Sequence, residues 1–238
     1  MYKRVKILRY KPGSENKPYF ESYDVEPDGD TILSLLQQIQ KYIDPSLKFD
    51  YVCRSGVCGS CAMLINGKPR LACRTCLNEV KGSVTIAPLP GFLMLGDLSV
   101  DTGSYFIKIH NRQALNVNRS KQQEAELAAN SNYENELMMH LYELDRCIEC
   151  GCCVSACATV QMNADFAGAA ELLNAWRLMS DPRDGRANKD WYELYATDNG
   201  VFGCTALLAC DSYCPKNIPL ASSLASFRVA LLKLGVKL

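Results

Sequence analysis

Thirteen cysteines stand against only two histidines, His110 and His140, in this 238-residue chain. Their spacing is the first feature that could do chemistry. The leading group reads Cys53-Arg54-Ser55-Gly56-Val57-Cys58-Gly59-Ser60-Cys61, with Cys73 and Cys76 following. Its C-x4-C-x2-C then C pattern is the one that ligates a plant-type [2Fe-2S] cluster. Three thiolates on one loop must wrap a compact, negatively charged group, so the loop needs unusual dihedrals and backbone N–H groups turned toward sulfur. Gly56 and Gly59 permit both. A zinc ribbon remains a competing pattern, because Cys58-x2-Cys61 and Cys73-x2-Cys76 have paired-knuckle form. That alternative leaves Cys53 without a role. On the cluster reading, Cys76 is a small buried apolar residue.

The second group, Cys147-Ile148-Glu149-Cys150-Gly151-Cys152-Cys153-Val154-Ser155-Ala156-Cys157, contains C-x2-C-x2-C-x3-C. The third, Cys204, Cys210 and Cys214-Pro215, is the same run with Leu207 in place of its second cysteine. In two-cluster bacterial ferredoxins the fourth cysteine of each run ligates the other cluster. That rule assigns Cys147, Cys150, Cys153 and Cys214 to a [4Fe-4S] cluster. Cys157, Cys204 and Cys210 are left for the other, and since leucine cannot ligate iron, the vacant corner implies [3Fe-4S]. Cys152 is spare, one residue after Cys150 being too short a reach around a cubane. Clusters of differing nuclearity carry single electrons between a two-electron centre and a one-electron or quinone partner. The chain reads as an electron relay.

Two sets of elements must position these loops. Val5 to Tyr10 and Tyr19 to Tyr23 predict a strand pair, Ile32 to Ile43 an amphipathic helix capped by Asp30 or Thr31, and Ala62 to Ile65 with Arg70 to Ala72 strands about the Asn66-Gly67 turn. Ser83 to Ala87 adds a strand before Pro88-Leu89-Pro90-Gly91 breaks the pattern. Strands with one helix make a small α+β domain. The remainder reads as helices over 103–116, 133–145, 166–179, 188–196 and 217–234, with a polar connection from Asn116 to Asn132. The expected domains are therefore 1–102 and 103–238. Trp176 and Trp191 fall on helical patterns as core residues, and both histidines read as ordinary helix residues.

Composition removes several other functions. Twenty-six basic residues balance twenty-six acidic ones, so no whole-molecule field draws nucleic acid. G-x-G-x-x-G, P-loop and H-E-x-x-H motifs are missing, which argues against nucleotide or flavin binding by this chain. Met1 to Val5 lacks the apolar core of a signal peptide, placing the thiols in a reducing compartment. No apolar run reaches the roughly 18 residues of a membrane span. The rival readings are a zinc-binding interaction module and a cluster subunit of a soluble dehydrogenase or thiol-linked reductase.

The cysteine groups, together with Asn66-Gly67, Leu71-Ala72-Cys73, Pro88-Leu89-Pro90, Asp97-Leu98-Ser99-Val100-Asp101 and Cys214-Pro215-Lys216, resemble the iron–sulfur subunit of succinate dehydrogenases and fumarate reductases over nearly the whole chain. The resemblance implies a β-grasp domain followed by an all-α ferredoxin-like domain. It implies as partners a flavoprotein carrying FAD, where succinate and fumarate interconvert, and a membrane anchor binding quinone near the three-iron cluster, often with haem b. No catalytic residue is expected in this chain, which would sit peripherally on the cytoplasmic face of a bacterial inner membrane. The Cys147 to Cys153 run and Gly200-Val201-Phe202-Gly203-Cys204 look most like fumarate reductases of anaerobic bacteria with a dihaem cytochrome b anchor and menaquinone. Two positions depart from ubiquinone-linked members: Met162 stands where many have a quinone-bonding tryptophan, and Thr205 where many have histidine. A thioether cannot donate the tryptophan's hydrogen bond.

Overall fold

The computed structural model describes residues 2–13, 15, 17–113, 135–182 and 184–236. The chain forms two compact units: Met1–Tyr105 with Ile148–Ala156, and Phe106–Cys147 with Cys157–Leu238.

The first unit is built on β1 (Lys3–Arg9), β2 (Tyr19–Val25), α1 (Ile32–Tyr42), β3 (Ala62–Ile65), β4 (Lys68–Leu71) and β5 (Val84–Ala87), whose strands form one mixed sheet in the order β2-β1-β5-β3-β4. β1 runs antiparallel to β2 and parallel to β5, with Val5 opposite Val84 and Ile7 opposite Ile86. These four side chains are fully buried, as alternation along a half-buried strand requires. α1 supplies Ile32, Leu33, Leu35, Leu36 and Ile39 to the same core. Thr31 is its N-cap: the Thr31 hydroxyl accepts the Ser34 N–H at 3.1 Å and Ser34 Oγ accepts the Thr31 N–H at 3.1 Å. Asn66 and Gly67 both have positive φ, 48° and 74°, the primed turn that suits a two-residue hairpin. Pro69 is tolerated in β4 because that strand is an edge. This is a β-grasp arrangement.

Beyond the prolines the chain adds β6 (Leu93–Gly96) and β7 (Ser99–Asp101), a two-stranded sheet that the sequence reading did not contain. Buried Asp97, between them, fastens it: its carboxylate accepts the N–H of Tyr10 at 2.8 Å, the N–H of Lys48 at 2.9 Å and Arg9 Nε at 3.1 Å. Arg9 also donates to Glu21, Tyr23, Asp44 and Ser46. Burial lowers the affinity of that guanidinium for its proton, but Asp97 and Asp44 outweigh the effect and raise its pKa.

Among its described residues the second unit is helical. Following α2 (Gly103–Gln113), which begins in the first unit, come α3 (Asn135–Asp145), α4 (Cys152–Ser155, packed with the first unit), α5 (Ala158–Met162), α6 (Gly168–Ser180), α7 (Asn188–Tyr195), α8 (Ala209–Ser212) and α9 (Leu220–Gly235). The five longer expected helices are present with ends shifted by a few residues where described; 114–116, 133–134 and the whole polar connection from Asn116 to Asn132 lie outside the described residues. α4, α5 and α8 were not expected, since four or five residues are too few to show a 3.6-residue period. Trp191, Tyr195 and Phe227 are almost fully buried in this core, and Trp176 packs on Phe227 with centroids 5.9 Å apart. His140 meets Trp176 edge-on. Buried Glu171 accepts from Arg112 at 2.8 Å and from Tyr195 at 3.1 Å, and its burial holds its pKa above the ordinary value. No helix among the described residues is long and apolar enough to cross a membrane.

Candidate functional site: three cysteine-lined loops

Cys53, Cys58, Cys61 and Cys73 come together in the first unit. The first three lie on the loop that enters β3; Cys73 sits on the 3-10 turn Ala72–Arg74 that leaves β4. The hairpin therefore sets their separation. Arg54, Gly56 and Gly59 all have positive φ, 58°, 75° and 78°. That winding aims the amides of Ser55 and Val57 at Cys53 Sγ, 3.4 and 3.3 Å away, and the Cys53 amide at Cys58 Sγ, 3.5 Å away. Amides converging on sulfur stabilise negative charge. The bonds from Ser55 and Val57 bring the Cys53 thiol down to about 5. Burial pushes Cys61 up to about 12, its close neighbours Cys73 and Cys58 adding to the shift. A cluster's iron would relieve this crowding of thiols, because metal binding removes their protons.

In the second unit, Cys157, Cys204 and Cys210 are neighbours. Burial, with the charges of Cys157 and Cys204 adding to it, pushes Cys210 up to about 11. Their loop is wound through Ala206 and Leu208, both left-handed at 56° and 61°. Between them Leu207 is 68 % exposed. Arg228 on α9 clamps the approach to Cys204: its Nη2 donates to the carbonyls of Val201 at 2.8 Å, Phe202 at 3.3 Å and Cys204 at 2.8 Å. Glycine is needed at 203, where a Cβ would overlap the Asp198 carbonyl oxygen. Thr205 and Thr159 face each other through their hydroxyls at 3.2 Å, and Met162 is 88 % exposed.

The remaining four candidates divide between the units. In the second, Arg146 donates to the Lys216 carbonyl at 2.7 Å, tying the residue before Cys147 to the turn that carries Cys214. Cys150 and Cys153 belong to the first unit, in the Ile148–Ala156 segment. There the spare Cys152 is fully buried in the core, and Ile148 and Cys150 pack against the same core. A hydrogen bond with Cys152 lowers the pKa of Cys150. Glu149 and Gly151, on either side of Cys150, repeat the positive-φ winding. Among the described residues no group of three or more potential ligands is gathered as for a single metal ion. Within each unit the thiols instead line loops whose backbone suits a larger anionic group: Cys53, Cys58, Cys61 and Cys73 in the first and Cys157, Cys204 and Cys210 in the second are donor sets that would suit iron–sulfur clusters. Sequence reasoning did not find Arg228 or Asp97's bonding, for an isolated arginine or aspartate carries no spacing signal.

Residues 4–107 match a 2Fe-2S iron–sulfur cluster binding domain and residues 143–218 a 4Fe-4S dicluster domain. The fumarate reductase iron–sulfur subunit of Wolinella succinogenes is 45% identical over 227 residues, 94% of this chain and 95% of that one. The chain belongs to the family of fumarate reductase and succinate dehydrogenase iron–sulfur subunits. The succinate dehydrogenase iron–sulfur subunit of Coxiella burnetii is 32% identical over 95% of this chain and 96% of that one. A chain of the Mycobacterium smegmatis Sdh1 complex in the apo form shares the fold, with a TM-score of 0.80 at 23% identity, covering 99% of this chain and 97% of that chain. As a member of this family the chain is an electron-transfer component of an oxidoreductase, containing a 2Fe-2S and a 4Fe-4S cluster domain.

Proposed function

We propose that this chain serves a membrane-bound quinol:fumarate reductase, relaying electrons between FAD in a flavoprotein subunit and menaquinone at a dihaem cytochrome b anchor. Succinate and fumarate chemistry belongs to the flavoprotein. When bound, the clusters supply single-electron steps; the chain supplies their thiolates, their amide donors and their burial. Cys53, Cys58, Cys61 and Cys73 hold [2Fe-2S]. Cys147, Cys150, Cys153 and Cys214 hold [4Fe-4S], and Cys157, Cys204 and Cys210 hold [3Fe-4S] with Leu207 at the corner left without a ligand. Along the sequence the [2Fe-2S] domain takes 1–102 and the helical cluster domain 103–238, although Ile148–Ala156 is grouped with the first compact unit. The chain sits peripherally on the cytoplasmic face of the inner membrane, with quinone near the three-iron cluster.

The observation that carries this reading is the 45% identity to a fumarate reductase iron–sulfur subunit across 94% of the chain. Met162 and Thr205 support a quinone site unlike one built on tryptophan and histidine, because neither supplies a ring N–H. Copurification tests the proposal. A flavoprotein and a haem-containing membrane subunit should accompany the chain and reduce fumarate with a menaquinol analogue. A purely soluble complex without quinone activity contradicts it.

A further inference from the structure

Within the first unit the [2Fe-2S] loop makes a contact closer than ligation demands. Gly59 lies so near the Ile148–Cys150 backbone that a Cβ on it would stand 2.9 Å from Cys150 Cβ, 2.9 Å from the Ile148 carbonyl oxygen and 3.0 Å from Cys150 Cα. Two of these neighbours are main-chain atoms and cannot swing aside. Their segment is fixed from behind. Ser155 Oγ donates to the Pro90 carbonyl at 2.8 Å, and Cys152 is fully buried. Gly151 abuts the Phe92 ring so closely that its own Cβ would lie 2.8 Å from it.

Gly56 provides an internal comparison. Its φ, 75°, is nearly that of Gly59, yet a Cβ there would meet only Arg74 Cγ and Cδ, at 2.8 and 2.9 Å. Arg74 is exposed and flexible, so it can move away. Both glycines satisfy the loop's left-handed winding. Only at Gly59 does the missing side chain also permit a close approach of two cluster-binding segments.

We propose that Gly59 is a positioning residue for electron transfer: by carrying no side chain it seats the [2Fe-2S] loop directly on Cys150 and sets the separation across which the two neighbouring clusters exchange an electron. The proposal rests on the ligand assignment made above. One centre is oxidised by one electron and the other reduced by one; no bond is made or broken and no proton moves. A methyl group at residue 59 must push the loop away from Cys150, because the segment beneath it is held. Electron exchange falls steeply with distance, and so does the magnetic interaction between two paramagnetic clusters. The displacement can therefore be read without turnover.

The test uses the whole chain in its native complex, with Gly59→Ala and Gly56→Ala compared by iron and sulfide content and by electron paramagnetic resonance with both centres reduced. The unaltered protein should show the [2Fe-2S] signal broadened and rapidly relaxed by the [4Fe-4S] centre. Gly56→Ala, which puts the same left-handed strain on the loop but meets only the movable Arg74 side chain, controls for that strain and should lose less of the interaction than Gly59→Ala. Gly59→Ala should keep the [2Fe-2S] signal but lose much of the broadening, with slower electron passage between the two centres. Unchanged broadening in Gly59→Ala, or an equal loss in both variants, overturns the proposal. If Gly59→Ala does not load the cluster, the unaltered protein decides: broadening supports the contact and its absence overturns it. Failure of the unaltered protein to contain either cluster would instead sink the ligand assignment.

Discussion

Leu207 stands 68 % exposed between two left-handed residues, Ala206 and Leu208. A left-handed non-glycine conformation costs about 1–2 kcal/mol per residue, so the loop is held in an arrangement that its local preferences oppose. Three thiolates bound to one cluster would supply the compensation. Leu207→Cys, reconstituted with iron and sulfide, should convert the three-iron cluster wholly or partly to [4Fe-4S] and lower its potential, since added negative charge favours the oxidised form. The variant should lose most of the oxidised three-iron resonance; a retained signal would place residue 207 away from the vacant corner. The spare thiols give the converse expectation. Cys76→Ser and Cys152→Ser should keep every cluster signal, with Cys152→Ser costing about 1–3 kcal/mol in urea unfolding because it buries a hydroxyl in an apolar core. Loss of a cluster from either would overturn the assignment. The candidate thiols stood out at this scale because cysteine is the usual ligand of such clusters and a wrapping loop constrains its spacing. Arg228 did not, because its bonds go to backbone carbonyls that no sequence pattern marks.

Arg228 also shows how an element acts on a site. Anchored on α9, its guanidinium brings a positive charge to the backbone that leads into Cys204. A nearby cation favours the more negative, reduced form of a cluster. Potentiometric titration should therefore find the three-iron potential lowered in Arg228→Gln, which keeps an N–H donor but loses the charge, and close to native in Arg228→Lys. Equal potentials in both variants would reduce the arginine to a tether. In the first unit, Arg9 at the end of β1 holds Asp97, the small sheet's anchor, and Asp44 beyond α1. Removing one partner of a buried ion pair costs about 3–5 kcal/mol. Arg9→Met should show that loss in denaturant unfolding of the cluster-loaded chain, whereas an effect near zero would assign the anchoring to backbone bonds. The sheet and long helices were visible from periodicity and from Asn66-Gly67. β6 and β7 were not, for three or four residues after two prolines carry too little alternation, and their placement depends on Asp97's distant partners.

Across the whole molecule, the division of the chain is the feature least visible in its sequence. Ile148–Ala156 packs with a unit otherwise ending at Tyr105, while a linear reading can only cut the chain where composition changes. What placed it there is buried apolar surface, Cys152 in the core with Ile148 and Cys150 packed against it, and those residues look from sequence like ordinary members of a ferredoxin run. The function was legible despite this, because three ligand spacings had to coincide and the matching domains cover residues 4–107 and 143–218. The account's central claim is that one chain carries three clusters of different nuclearity on these cysteines. Electron paramagnetic resonance of the anaerobically purified protein, poised oxidised and then reduced, tests it most directly. The account predicts a three-iron signal after mild oxidation, and [2Fe-2S] and [4Fe-4S] signals on reduction. An oxidised protein without the three-iron signal, or a colourless protein carrying stoichiometric zinc, would contradict it.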